Sequence, residues 1–203
     1  MRRITLPAVA LLAAAGVAHA EDKPYQDGAY VASSVGAYLG NDYARSPLWA
    51  LAKGQADKKF NATLAAGYRL DDFRFEIEGG FGRLADVKST QPGFSTIPGF
   101  PTNGDVTMWT ALAGAYVDVP VTRTYQPYLG LGGGVARLDS DSRLVLVNDG
   151  THAAAFGEVG LNMVVWRGLT MAPGYRYLWV NAKGGGADNV SSHIVKLTAR
   201  ARF

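Results

Sequence analysis

The stretch SHIVKLTARARF, Ser192 to Phe203, separates into two unlike faces when alternate positions are read. His193, Val195, Leu197, Ala199, Ala201 and Phe203 fall on one side. Ser192, Lys196, Thr198, Arg200 and Arg202 fall on the other, with Ile194 the single misfit. A period of two marks a β-strand with one apolar and one polar face. A strand is therefore predicted here, ending on the aromatic side chain of Phe203.

Upstream lie further segments of the same kind: Gly28 to Gly40, Lys58 to Leu70, Phe73 to Leu84, Val106 to Val119, Gln126 to Leu138, His152 to Val165 and Leu169 to Val180. Each is at least about as long as the roughly 9–11 residues of a tilted membrane strand. The connections between them alternate. Asn41 to Asp57, Ala85 to Asp105, Asp139 to Thr151 and Asn181 to Ser191 are long; Asp71-Asp72, Pro120 to Tyr125 and Trp166-Arg167-Gly168 are short. Long loops at one end and short turns at the other are the pattern of an up-and-down barrel that crosses the outer membrane. An even number of strands leaves both chain ends on the short-turn, periplasmic side. A soluble barrel has no physical need for this asymmetry.

The faces agree with that reading. In the third segment Phe73, Phe75, Ile77 and Phe81 alternate with Arg74, Glu76 and Glu78. In the sixth, Val159, Leu161, Met163 and Val165 oppose Glu158 and Asn162. Aromatics gather toward both ends of the segments, Phe60, Phe81, Trp109, Tyr177 and Trp179 near the long loops and Tyr68, Phe73, Tyr116, Tyr128 and Phe203 near the short turns. Two such girdles bracket the apolar band of a membrane barrel. The segment from Val106 to Val119 is mixed, and its facing stays open. In a soluble lipocalin-like barrel the apolar face would turn inward around a ligand. The faces alone do not separate the two forms; loop asymmetry, girdles and Phe203 together select the membrane one.

Composition narrows the classes. The 203 residues suit one domain plus a targeting segment, and the net charge of +3 implies no nucleic-acid partner. Without cysteine the chain has neither a disulfide framework nor a thiolate metal site. Its 25 glycines suit curved β-structure better than helices. Residues 1–20 read as a secretory signal peptide: Arg2 and Arg3, the apolar core Leu6 to Val17, then Ala18-His19-Ala20 with cleavage after Ala20. The domain expected after it runs over 21–203.

The segments AGYRLDDFRFEIEGGFG (Ala66 to Gly82), QPYLGLGGGVARL (Gln126 to Leu138), GYRY (Gly174 to Tyr177) and ARARF (Ala199 to Phe203) carry a resemblance. They resemble the small outer-membrane β-barrel domain family that includes opacity-type surface proteins. The likeness covers essentially the whole mature chain, but its motifs are architectural. It implies an eight-stranded antiparallel up-and-down transmembrane barrel, contact with outer-membrane lipids, and a role as adhesin, structural protein or small porin. It also implies that the last strand, with Phe203, is the signal read by the outer-membrane assembly machinery.

Eight strands leave a lumen that side chains fill. The inward set is Arg69, Arg74, Glu76, Glu78, Glu158, Arg176, Lys196, Arg200 and Arg202. Buried charges must pair, so a salt-bridged plug is expected; the alternative is a narrow pore that the basic excess would make weakly anion-selective. A lipid-modifying enzyme would need a hydroxyl nucleophile beside a histidine. Ser191, Ser192 and His193, or Thr151 and His152, do not show the His-x-Ser order of such a pair. No cofactor and no metal site is expected. In the long loops Trp49, Phe94 and Phe100 are candidates for contact with a surface ligand. The expectation is a non-catalytic protein of envelope integrity or surface interaction.

Overall fold

Two-faced segments joined by tight turns pair with their neighbours in sequence, and closing the last onto the first removes the exposed edges. The computed structural model describes residues 27–42, 58–88, 103–119, 121–122, 124–140, 149–182 and 189–202. Among these, eight strands form one closed antiparallel barrel in sequence order. They are β1 (Gly28–Asp42), β2 (Lys58–Leu70), β3 (Phe73–Lys88), β4 (Asn103–Asp118), β5 (Tyr125–Ser140), β6 (Gly150–Trp166), β7 (Leu169–Val180) and β8 (Val190–Arg202). Closure is a long ladder from Tyr30 opposite Arg202 to Asp42 opposite Ser191. Ala20 and Phe203, with their roles in cleavage and assembly, lie outside the described residues.

Strands β3 to β6 extend further at the long-connection end than the sequence pattern suggests. Period-two patterning fades there because the outer face carries charge, as at exposed Arg83 and Arg137. Above the lipid, ladder hydrogen bonds alone hold a strand and no apolar outer face is needed. At the opposite end the turns are tight. Asp71 adopts φ 53° and donates its backbone N–H to Asp27 Oδ1 at 2.6 Å. Gly168, at φ 77°, supplies the left-handed residue between β6 and β7. Trp166 belongs to β6 rather than to that turn.

The apolar faces point outward. Ile77, Leu64 and Leu131 are 75%, 69% and 67% exposed on the barrel wall. A continuous belt of this kind far exceeds what a soluble monomer leaves to water, and lipid is its natural cover. Exterior aromatics stand at both margins of the belt: Phe60, Trp109 and Tyr177 toward the long connections, Tyr68, Phe73, Tyr125 and Trp166 toward the short turns. Tyr116 and Tyr128 do not belong to the lower girdle. Both lie inside, almost fully buried. Their place is set by period-two alternation with outward Val117 and Leu129, which outweighs nearness to the strand end.

The facing of β4 is now plain. Val106, Met108, Leu112, Tyr116 and Asp118 point inward, while Trp109, Ala111, Ala113 and Val117 point outward. The strand is apolar on both sides because the upper lumen it faces is largely apolar, with buried Asn61 and Ser192 as polar exceptions. There Met108, Leu138, Phe156, Leu178, Val180 and Ile194 pack as a core. The same layer explains Ile194, which breaks the polar face of β8 but sits in the apolar half of the interior.

Glycines make room for the interior rings. The Tyr38 hydroxyl lies where a side chain on Gly82 would sit, and the Tyr116 ring covers Gly130. A narrow barrel holds inward tyrosines where the positions their rings cover on nearby strands carry no Cβ.

Candidate functional site

The lower half of the lumen is charged. Period-two alternation on β2, β3, β6, β7 and β8 brings Arg69, Arg74, Glu76, Glu78, Glu158, Arg176, Lys196 and Arg200 to the inner face, all buried. Arg202 follows on the same face of β8, half-buried at the short-turn mouth.

These groups form two tiers. In the tier nearer the short turns, Asp118 accepts from Arg69 Nη1 at 3.1 Å and from Arg74 Nε at 2.8 Å. Arg74 Nη1 donates to Glu76 at 2.7 Å, and Arg200 Nε approaches Glu76 at 3.4 Å. Asn162 links the ring by donating to Asp118 at 2.9 Å and accepting from Arg200 at 2.5 Å. In the upper tier Arg176 clasps both Glu78 and Glu158, the latter at 2.6 Å. Lys196 joins the same two carboxylates, at 3.5 Å from Glu78 and 3.1 Å from Glu158.

An aromatic layer lies between the tiers. Arg74 stacks on Tyr116 at 4.7 Å and on Tyr128 at 5.2 Å, while Arg176 stacks on Phe156 at 4.3 Å. Tyr128 donates its hydroxyl to Glu158 and Tyr30 donates to Glu76, each at 2.8 Å. Rings and hydroxyls thus join the two tiers into one network that spans strands on every side of the lumen. Stacking on desolvated guanidinium adds to ion pairing, and multiple hydrogen bonds per carboxylate offset the cost of burying charge.

Sequence reading did not place Asp118, Gln126, Asn162 or the inward tyrosines in this network. Alternation held the signal: Asp118 follows inward Tyr116 by two residues, and Gln126 precedes inward Tyr128 by two. Reading Tyr116 and Tyr128 as girdle residues hid it.

The other candidates fall elsewhere. Trp49, Phe94 and Phe100 lie outside the described residues. His193 is on the exterior, hydrogen-bonded through Nδ1 to the Tyr175 hydroxyl and packed on the Tyr177 ring at 5.2 Å. Ser192 points into the lumen, on the opposite face from His193. The arrangement suits ion pairing and filling of a lumen more readily than nucleophilic chemistry.

Comparison with known proteins agrees with this geometry. A family model described as outer membrane protein beta-barrel domain matches residues 6–203. An uncharacterized protein of Brucella abortus is 32% identical over 145 residues, which is 64% of this chain and 50% of that protein. An uncharacterized protein of Brucella suis matches at the same 32% over 145 residues. The chain spans about half the length of the curated relatives it matches. Among solved structures, Neisserial surface protein A is similar at a TM-score of 0.56 and 24% identity, covering 87% of this chain and 97% of that one. Outer membrane protein W of E. coli is similar at 0.53 and 16% identity, covering 88% of this chain and 100% of that one. At these identities the likeness is one of fold.

Proposed function

The chain belongs to the outer membrane protein beta-barrel domain family, and from that premise we propose that it is a non-catalytic surface protein with a plugged barrel. Its long connections, rather than its lumen, then carry the function, in envelope integrity or in contact with a surface ligand. The observation that supports this reading is the joined network of ion pairs and tyrosines across the lumen, capped by the apolar layer above it. Outer-membrane lipids cover the exterior belt, and the assembly machinery engages the last strand with Phe203. A small, weakly anion-selective pore is the second reading, favoured by the basic excess of the inward-facing set.

The test is complementation of cells that lack the protein. The triple variant Trp49→Ser, Phe94→Ser, Phe100→Ser is expected to assemble normally, judged by its heat-modifiable gel mobility, but to lose detergent resistance or surface adherence. Full rescue by that variant would count against the loops as the working part.

A further inference from the structure

Strand β7 carries a proline within the barrel wall. Pro173 stands on the exterior and pairs with Leu197 of β8, but its pairing with β6 fails. The β6–β7 ladder runs down to Gly160 opposite Gly174 and resumes at Met163 opposite Met171. Leu161 and Asn162 lie between, without ladder partners on Pro173 and Ala172, and the register shifts again between Val164 and Trp166. The bond lost is the one from residue 173 to the Leu161 carbonyl. Backbone groups along β6 alternate in direction: the Val164 N–H donates to Thr124, just ahead of β5, whereas the Ala153 carbonyl accepts from Asn181, just past β7. Leu161 shares the parity of Ala153, so its carbonyl turns to Pro173, which has no N–H to give. Proline is ordinarily kept to sheet edges, and lipid offers no water to replace the bond.

Little else holds this stretch together. Above it, Arg176 Nε donates to Glu158 at 2.7 Å and locks β7 to β6. Beneath that pair the inner face of the seam is built of Gly160, Gly174 and Ala172, and the Tyr128 ring of β5 fills the space over both glycines. Asn162, 3% exposed, reaches past β7 instead of to it. It accepts from Arg200 on β8 at 2.5 Å and donates to Asp118 on β4 at 2.9 Å. The bond to Arg200 thus ties β6 to β8 across the strand whose ladder is broken.

We propose that the seam of β6 and β7 beside Pro173 is a built-in line of opening in the barrel wall, latched from inside by the Asn162–Arg200 hydrogen bond. When the latch lets go, the strands part between the Glu158–Arg176 pair and the turn at Gly168. The lower tier then meets water from the short-turn end while the upper tier stays paired. This adds a moving part to the plugged barrel, the reading on which it rests.

The test is residue-resolved amide hydrogen exchange on the membrane-extracted protein in lipid nanodiscs. The amides of Leu161, Met163 and Met171, which cross the seam, should be protected about tenfold less than those of Gly160 and Asn162, which turn to β5. Pro173→Val restores the donor and should remove the difference. Asn162→Ala should widen it, while the Tyr175 amide, beside the locked Glu158–Arg176 pair, keeps its protection. Equal protection on the two sides of β6 would overturn the proposal, and that comparison requires no variant to fold. A difference that persists unchanged in Pro173→Val would overturn it too. Conductance by the intact barrel would instead contradict the plug, whereas a silent barrel with equal protection would contradict the seam alone.

Discussion

At Glu158 one carboxylate collects donors from three strands: Tyr128 on β5 at 2.8 Å, Arg176 Nε on β7 at 2.7 Å and Lys196 on β8 at 3.1 Å. Removing its charge leaves two cations sharing Glu78, deep in the lumen. Losing one partner of a buried ion pair costs far more than losing both. Glu158→Gln should therefore lower stability by about 3–5 kcal/mol, read as an earlier urea midpoint for the protein in lipid vesicles. Adding Lys196→Met should recover more than half of the loss, because it removes the cation left in excess. An unchanged midpoint for Glu158→Gln would mean that the upper tier is open to water.

Strand β4 shows what alternation conveys and where it stops. Strands β3, β6 and β8 declare their faces where apolar and polar residues separate, as Phe75 and Ile77 do from Glu76 and Glu78. In β4 that contrast vanishes: Met108 and Leu112 meet an apolar core while Trp109 and Ala113 meet lipid. Only cross-strand register, Glu78 opposite Leu112 and Phe81 opposite Trp109, settles it. The interior network was legible wherever a formal charge stood between apolar neighbours. It was illegible where its members were tyrosines or amides, or where Asp118 sat at the edge of a turn. Which carboxylate pairs with which cation depends on register and barrel closure, which no local pattern encodes. Because the chain has no cysteine, single cysteines along β4 give a clean check of facing. Thiols placed at Trp109, Ala111 and Ala113 should react with a lipid-soluble maleimide, and those at Met108, Thr110 and Leu112 should be protected. The reverse pattern would shift the register by one residue and turn the strand over.

For the whole molecule, fold and location agree. A belt of exposed apolar side chains surrounds a charged interior, the inverse of a water-soluble protein, and the family to which the chain belongs resides in the outer membrane. Inside, two ion-paired tiers and an apolar cap fill the narrow lumen that eight strands enclose. The central claim is that this filling closes the barrel. It is tested most directly by planar-bilayer conductance of the membrane-extracted protein beside its Glu76→Ala, Glu78→Ala variant. The intact barrel should insert and remain silent, while the variant, having lost an acid from each tier, should open in discrete steps. Discrete, anion-biased steps from the intact barrel would contradict the account and make the protein a small porin.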